Sequence, residues 1–199
     1  FTDPVPEKHE HRYEEKGIHT YHGHARFAGQ YNLTVGGESL EARHFLIAAG
    51  AEPIKLQIPG EEYFATNEDF LAIERLPQRI ALVGGGYIAS EFSHIAARAG
   101  AQVTILQRRE RMLTHFDPDL VGWLMDKFAE IGVDVRLRTT VEAIEKKGAG
   151  FVVRASSESG DATFEADLVV HAAGRAPALD ALDLETGGIA TENGRLKLN

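Results

Sequence analysis

The apolar residues change rhythm partway along the chain. Up to about residue 46 they stand singly or alternate in short runs, whereas from residue 79 onward they gather into strand-length blocks separated by stretches of helical spacing. In the first regime Thr2-Asp3-Pro4 offers a cap for a short charged helix running to about Lys16 and closed by Gly17. Short strands follow at 18–22, 25–27 and 31–35, then a turn at Gly36-Gly37 and a last run over 38–46. This reads as a small antiparallel piece.

The second regime is more regular. Thr66 or Asn67 caps a short helix through Glu74, which Leu76-Pro77 ends. Residues 79–83 form a buried strand, and 87–99 form a helix with Ile88, Phe92, Ile95, Ala96 and Ala99 on one stripe and Gly100 as its stop. A second buried strand at 101–106 completes a βαβ unit. Asp117 as N-cap and Pro118 at the first turn open another helix, carrying Leu120, Val121, Leu124, Phe128 and Ile131 and ended by Gly132. Trp123 on that helix is expected in the core or against a partner. Residues 133–137 are a third parallel strand, after which 140–146, 151–155 and 162–166 alternate as an antiparallel meander turning at 156–160.

Two segments nearly repeat. Phe45-Leu46-Ile47-Ala48-Ala49-Gly50 with Pro53 and Val169-Val170-His171-Ala172-Ala173-Gly174 with Pro177 both predict a buried strand that ends in Ala-Ala-Gly and is turned away by proline. They bracket the βαβ unit, as strands leaving and re-entering a domain would.

Between the first buried strand and its helix stand Gly84-Gly85-Gly86. Gly84 permits a turn that a side chain would obstruct, Gly86 lets the backbone approach a pyrophosphate, and Ala89 takes the third small position where helix and strand pack closely. The first N–H groups of the helix then face an anion with the positive end of the macrodipole behind them. A dinucleotide is the natural occupant. At the end of the next strand, where a carboxylate would bind a ribose 2′-OH, the chain has Gln107 followed by Arg108 and Arg109. A guanidinium grips a 2′-phosphate through charge-assisted bonds, so the pattern favours NADP over NAD. The two arginines also fit a reading as solvated loop charges beside Glu110 and Arg111.

Charge and composition narrow the partners. Thirty acidic against 21 basic residues leave a formal net charge of −9, which disfavours nucleic acid and anionic membranes. No stretch is apolar for long enough to span a bilayer and no signal peptide precedes Phe1, so a cytoplasmic protein is expected. With no cysteine there is no disulfide, thiolate nucleophile or thiolate metal site. His19, His22 and His24 lack acids at ligand spacing, and His9 and His11 belong to the charged helix, so no metal site and no catalytic residue is assigned.

The segments Ile47-Ala48-Ala49-Gly50, Gly84 to Glu91, Arg108-Arg109, Phe116-Asp117 and Ala172-Ala173-Gly174-Arg175-Ala176-Pro177 occur in an order that resembles the flavin-dependent pyridine nucleotide-disulfide oxidoreductases. The likeness is greatest to the glutathione reductase, mercuric reductase and dihydrolipoamide dehydrogenase branch. It implies an α/β fold, a Rossmann-like NAD(P)-binding domain carrying part of an FAD-binding domain. Residues 1–50 would close the first half of the FAD-binding domain, 51–173 would bind NAD(P)H, and 174–199 would return to the flavin side. By the same resemblance Gly84, Gly86 and Ala89 hold the pyrophosphate, Ile88 is counted among the cofactor-binding residues, and Arg108 and Arg109 meet the 2′-phosphate. Tyr87 covers the flavin face until nicotinamide displaces it, Glu91 contacts a flavin-side lysine and the nicotinamide region, and Gly50 and Gly174 approach the nucleotides.

The departures also count. Ala49 stands where the family usually has Thr, and Ala178 where it has Asn after the second proline. A glycine fingerprint for FAD, a Cys pair and the later Gly-Asp motif with its dimerisation domain are missing. The expectation is therefore a piece of a longer, homodimeric oxidoreductase that passes hydride from NADPH to FAD. The piece alone would hold no FAD and turn nothing over. A stand-alone dinucleotide-sensing module and a two-substrate dehydrogenase are the alternatives, the latter needing a proton relay for which only His171 is at hand.

Overall fold

The computed structural model describes residues 4–198. The chain divides into two units, one comprising residues 53–175 and the other the segments up to Glu52 and from Ala176.

In the outer unit, α1 (Val5–Glu14) has no side-chain cap at Pro4, and the proposed cap residues Thr2 and Asp3 lie outside the described residues. Its C-terminal turn closes through Gly17 N–H to Glu14 O (2.9 Å) and Ile18 N–H to Tyr13 O (2.9 Å). That cap takes the backbone of Ile18, and the expected strand at 18–22 does not form. Strands β1 (Ala25–Gly29), β2 (Asn32–Val35) and β3 (Glu38–Glu41) make an antiparallel sheet. β3 stops at Glu41 because only Leu40 on it is even partly buried, leaving little to hold residues 42–46 against a sheet. Phe27, Leu179 and Leu184 form the core of this unit, with Phe45 edge-on to Phe27 at 5.1 Å. The first Ala-Ala-Gly segment is not a strand: Leu46 is 93% exposed, and only the short β4 (Ala51–Pro53) follows it.

The inner unit is built on a parallel sheet. Helix α2 (Asn67–Ala72) is capped by Thr66, whose hydroxyl accepts from Asp69 N–H while the Asp69 carboxylate accepts from Thr66 N–H at 2.7 Å. Then come β5 (Arg79–Val83), α3 (Tyr87–Arg98), β6 (Gln102–Leu106), α4 (Pro118–Glu130), β7 (Asp134–Arg136) and the meander β8 (Thr139–Lys147), β9 (Gly150–Ser157) and β10 (Gly160–Ala166). β11 (Leu168–His171) returns beside β5, giving the order β11-β5-β6-β7, and β12 (Arg175–Pro177) leads out.

Alternation on β5 divides the core between two layers. Ile80 and Leu82 pack with Ile88, Phe92, Val103, Ile105, Phe128 and Val170 under the helices, while Ala81 and Val83 meet Val141, Ile144, Val153 and Val169 under the meander. Both faces of the sheet are covered, which is why its strands read as unbroken apolar runs. Asp167 fixes the edge where β5 and β11 begin: its carboxylate accepts from Arg79 N–H (2.9 Å) and from Arg79 Nη2 (2.6 Å).

The helical stripes sit differently from expectation. On α3 the face towards the sheet is Ile88, Ala89, Phe92, Ser93 and Ala96, whereas Ile95 is 56% exposed and Ala99 is exposed as well. Small residues face inward because the glycine turn brings the start of α3 close to the sheet. On α4, Leu120 and Trp123 are 57% and 68% exposed, so Trp123 is not a core residue.

Candidate functional site

A cavity of about 460 Å³ opens at the C-terminal ends of β5, β6 and β11, within the inner unit. Its floor is the turn Gly84-Gly85-Gly86 with Tyr87, and its walls are 106–109, 113–116, 139–141 and 172–174, with Ile54 at the rim. Parallel strands all present their C-terminal ends here, which is where ligands enter open α/β sheets.

The three glycines answer to three different neighbours. Gly84 has φ +113, and a Cβ there would stand 2.2 Å from Ala172 O, so the turn lies directly against the end of β11. A Cβ on Gly85 would come within 2.7 Å of Gln107 Nε2. Gly86 has an ordinary extended backbone (φ −90, ψ −170), and a Cβ on it would meet nothing nearer than Ala172 O at 3.8 Å. The protein therefore has room for a side chain at Gly86, a residue that lines the cavity.

Immediately beyond lies the start of a twelve-residue helix with no side-chain cap, whose first intrahelical bond runs from Ser90 N–H to Gly86 O (3.0 Å). The amides ahead of Ser90 are donors without helical acceptors, with the macrodipole behind them. Ala89 is fully buried and supplies close packing, and Ile88 is buried beside it; neither side chain lines the cavity. Tyr87 does line it and is 57% exposed.

Arg108 and Arg109 are exposed on the cavity wall, and among the described residues neither takes part in an ion pair. Nearby Glu110 pairs instead with Arg138 (3.6 Å), which also holds Glu158 at 2.9 Å. Gly174 lines the opposite wall with φ +127. Glu91 is exposed on α3 and Gly50 is exposed in the outer unit; neither lines the cavity.

Sequence reasoning missed several residues that the fold brings here. Gln107 was read only as the absence of an acid, yet its side chain is buried and explains Gly85. Leu113, Thr114 and His115 form a wall, and Thr139 and Thr140 reach the cavity from the start of β8. The one signal for the last two was a hydroxyl pair where the apolar alternation begins.

His171 offers no proton relay. It is 5% exposed and absent from the cavity lining, with Nε2 2.9 Å from Ile54 O and its ring edge-on to Phe64 at 5.2 Å. A carbonyl only accepts, so Nε2 carries the proton. Burial holds the imidazole pKa below its ordinary value, which keeps the ring neutral. Among the described residues no group of three or more His, Cys, Asp or Glu is placed to hold a metal, and no helix is long and apolar enough to cross a membrane.

Known proteins resemble this chain in sequence and in fold. A family described as "Pyridine nucleotide-disulphide oxidoreductase" matches residues 4–199. The chain is 36% identical to a glutathione reductase of Burkholderia cepacia over 94% of its length and 41% of the relative's. It is 32% identical to a mercuric reductase of Staphylococcus aureus over 89% of its length and 33% of that protein's. Among solved structures, the HOCl-induced flavoprotein disulfide reductase RclA from Escherichia coli superposes with a TM-score of 0.86 at 29% identity, over 96% of this chain and 44% of that one. The chain spans less than half the length of these relatives.

Proposed function

Starting from the fact that this chain belongs to the pyridine nucleotide-disulphide oxidoreductase family, we propose that its inner unit binds NADPH and presents it to a flavin. The observation that carries the reading is Gly86. A residue with ordinary backbone angles and open space around it has no internal reason to be glycine, whereas a diphosphate lying on the helix start would leave no room for a side chain.

The residues fit that cofactor. The uncapped amides of Tyr87, Ile88 and Ala89, with Gly84 and Gly86 shaping the turn, hold the diphosphate. Arg108 and Arg109 take the 2′-phosphate, each charge-assisted bond contributing on the order of 1.5–3 kcal/mol. Tyr87 shields the site until the nicotinamide ring enters, and Gly174 lets β11 end against the nucleotide. Glu91 and Gly50 are assigned to the flavin side. When bound, the cofactor supplies a hydride, and FAD of the flavin portion receives it. The chain's own work is to bind, orient and exclude water from the ring.

The test is a calorimetric titration of the chain with NADPH and NADH, repeated with Gly86→Val. NADPH is expected to bind the wild type more tightly than NADH, and the variant to lose about tenfold or more in affinity with its circular dichroism unchanged. Undiminished binding to Gly86→Val overturns the reading.

A further inference from the structure

We propose, building on the dinucleotide reading above, that Gln107 is a positioning residue. Its side-chain amide braces the loop that carries Arg108 and Arg109, so that cofactor discrimination depends on Gln107 although Gln107 itself reads no ribose.

Gln107 is only 7% exposed, and its Nε2 donates to Arg111 O at 2.9 Å. The amide bridges the loop from its first residue to its fifth, drawing Arg108 to Glu110 into a tight excursion. On its other side the amide lies flat against the glycine turn, where a Gly85 Cβ would come within 2.7 Å of Nε2 and 2.8 Å of Cδ. The ends of the loop are fixed by backbone bonds: Gln107 N–H to Arg136 O (2.8 Å), Thr139 N–H to Gln107 O (2.9 Å), Arg138 N–H to Arg109 O (3.0 Å) and Leu113 N–H to Gly85 O (2.8 Å). Two of these anchors, Leu113 (φ 47) and Arg138 (φ 51), are non-glycine residues in left-handed conformation. Such strain persists only where surrounding bonds over-determine it, and these two residues are bonded to the glycine turn and to the arginine loop.

One of the two N–H donors of the amide is committed to a protein carbonyl, while Gln107 also lines the cavity, so substitution decides between bracing and reading. A glutamate of the same size cannot donate, and its charge would face Arg111 O instead of being drawn to it. Introducing an acid here therefore removes a brace from the loop.

The experiment titrates NADPH and NADH by calorimetry into the wild type, Gln107→Met, the double variant R108A/R109A and the triple combination, with Gln107→Glu as a second removal of the donor. Circular dichroism and thermal melting check the fold of each. Expected are a loss of about tenfold in NADPH affinity for Gln107→Met, NADH affinity within about twofold of wild type, and no loss in the triple variant beyond that of the double. Gln107→Glu gives the same selective loss, and supplies the test if Gln107→Met fails to fold. Equal weakening of both cofactors, additive loss in the triple variant, or tighter NADH binding by Gln107→Glu overturns the inference and leaves the dinucleotide reading standing. A wild type that binds neither cofactor overturns the dinucleotide reading and this inference with it.

Discussion

Val170 is wholly buried in a parallel strand, while Leu46, at the matching place in the other Ala-Ala-Gly segment, is 93% exposed. The composition of the two segments does not explain the difference. The later one has neighbours on both sides: its register runs Val169 to Ala81 and Val170 to Leu82 along β5, and Ala65 bridges to Val170 on the other edge. Ala65 N–H donates to Val169 O and His171 N–H to Ala65 O, both at 2.8 Å. Residues 45–50 lie in no strand; only Phe45 and Ile47 touch the core of their unit. An apolar run becomes a strand when a ladder is there to take its amides.

Substitution at the paired positions should give the largest contrast. Val170→Asp would bury an unpaired charge in the core layer under the helices and destabilise the inner unit by about 4 kcal/mol or more, whereas Leu46→Asp should stay within about 0.5 kcal/mol of wild type in urea denaturation. Equal losses would show that the two segments are alike after all.

A smaller contrast concerns the glycines beside them. Gly84→Ala combines a forbidden φ with a Cβ 2.2 Å from Ala172 O, at the end of the buried copy, and should destabilise by about 3 kcal/mol. Gly50→Ala, at φ +76 with nothing within 4 Å, should cost about 1 kcal/mol.

The smallest effect is a slope. His171 and Ile47 occupy matching places, and only the former titrates. Burial lowers the folded pKa of His171, so the unfolded chain takes the proton first. Its contribution is complete above the ordinary histidine value of about 6.5 and is lost as pH falls through that value towards the folded one. His171→Gln should flatten the stability profile between roughly pH 7 and 5; an unchanged slope would reassign the acid sensitivity.

The inner unit was readable because its signals are local. Apolar runs, caps at Thr66 and Asp117, and glycine stops each mark an element without reference to distant residues. The cavity was readable as far as its glycines and arginines. What stayed hidden depends on contacts between segments far apart in the chain. Ile95 fits a helical stripe as well as Ala89 and Ser93 do, and only the approach of α3 to the sheet decides that the two small residues face inward. The strand expected at 18–22 was claimed by a helix cap. Gln107 was invisible as a brace because its acceptor, the Arg111 carbonyl, is a backbone atom that any residue would supply.

Ile54 N–H donates to Gly174 O at 3.1 Å, so the inner unit receives and releases the chain at adjacent points. To any polypeptide that hosts it, the whole segment is topologically equivalent to a tight loop, and its insertion imposes almost no closure entropy on the host. That makes 53–175 a portable cassette: spliced into an exposed turn of an unrelated scaffold, it should fold without rearranging its new surroundings.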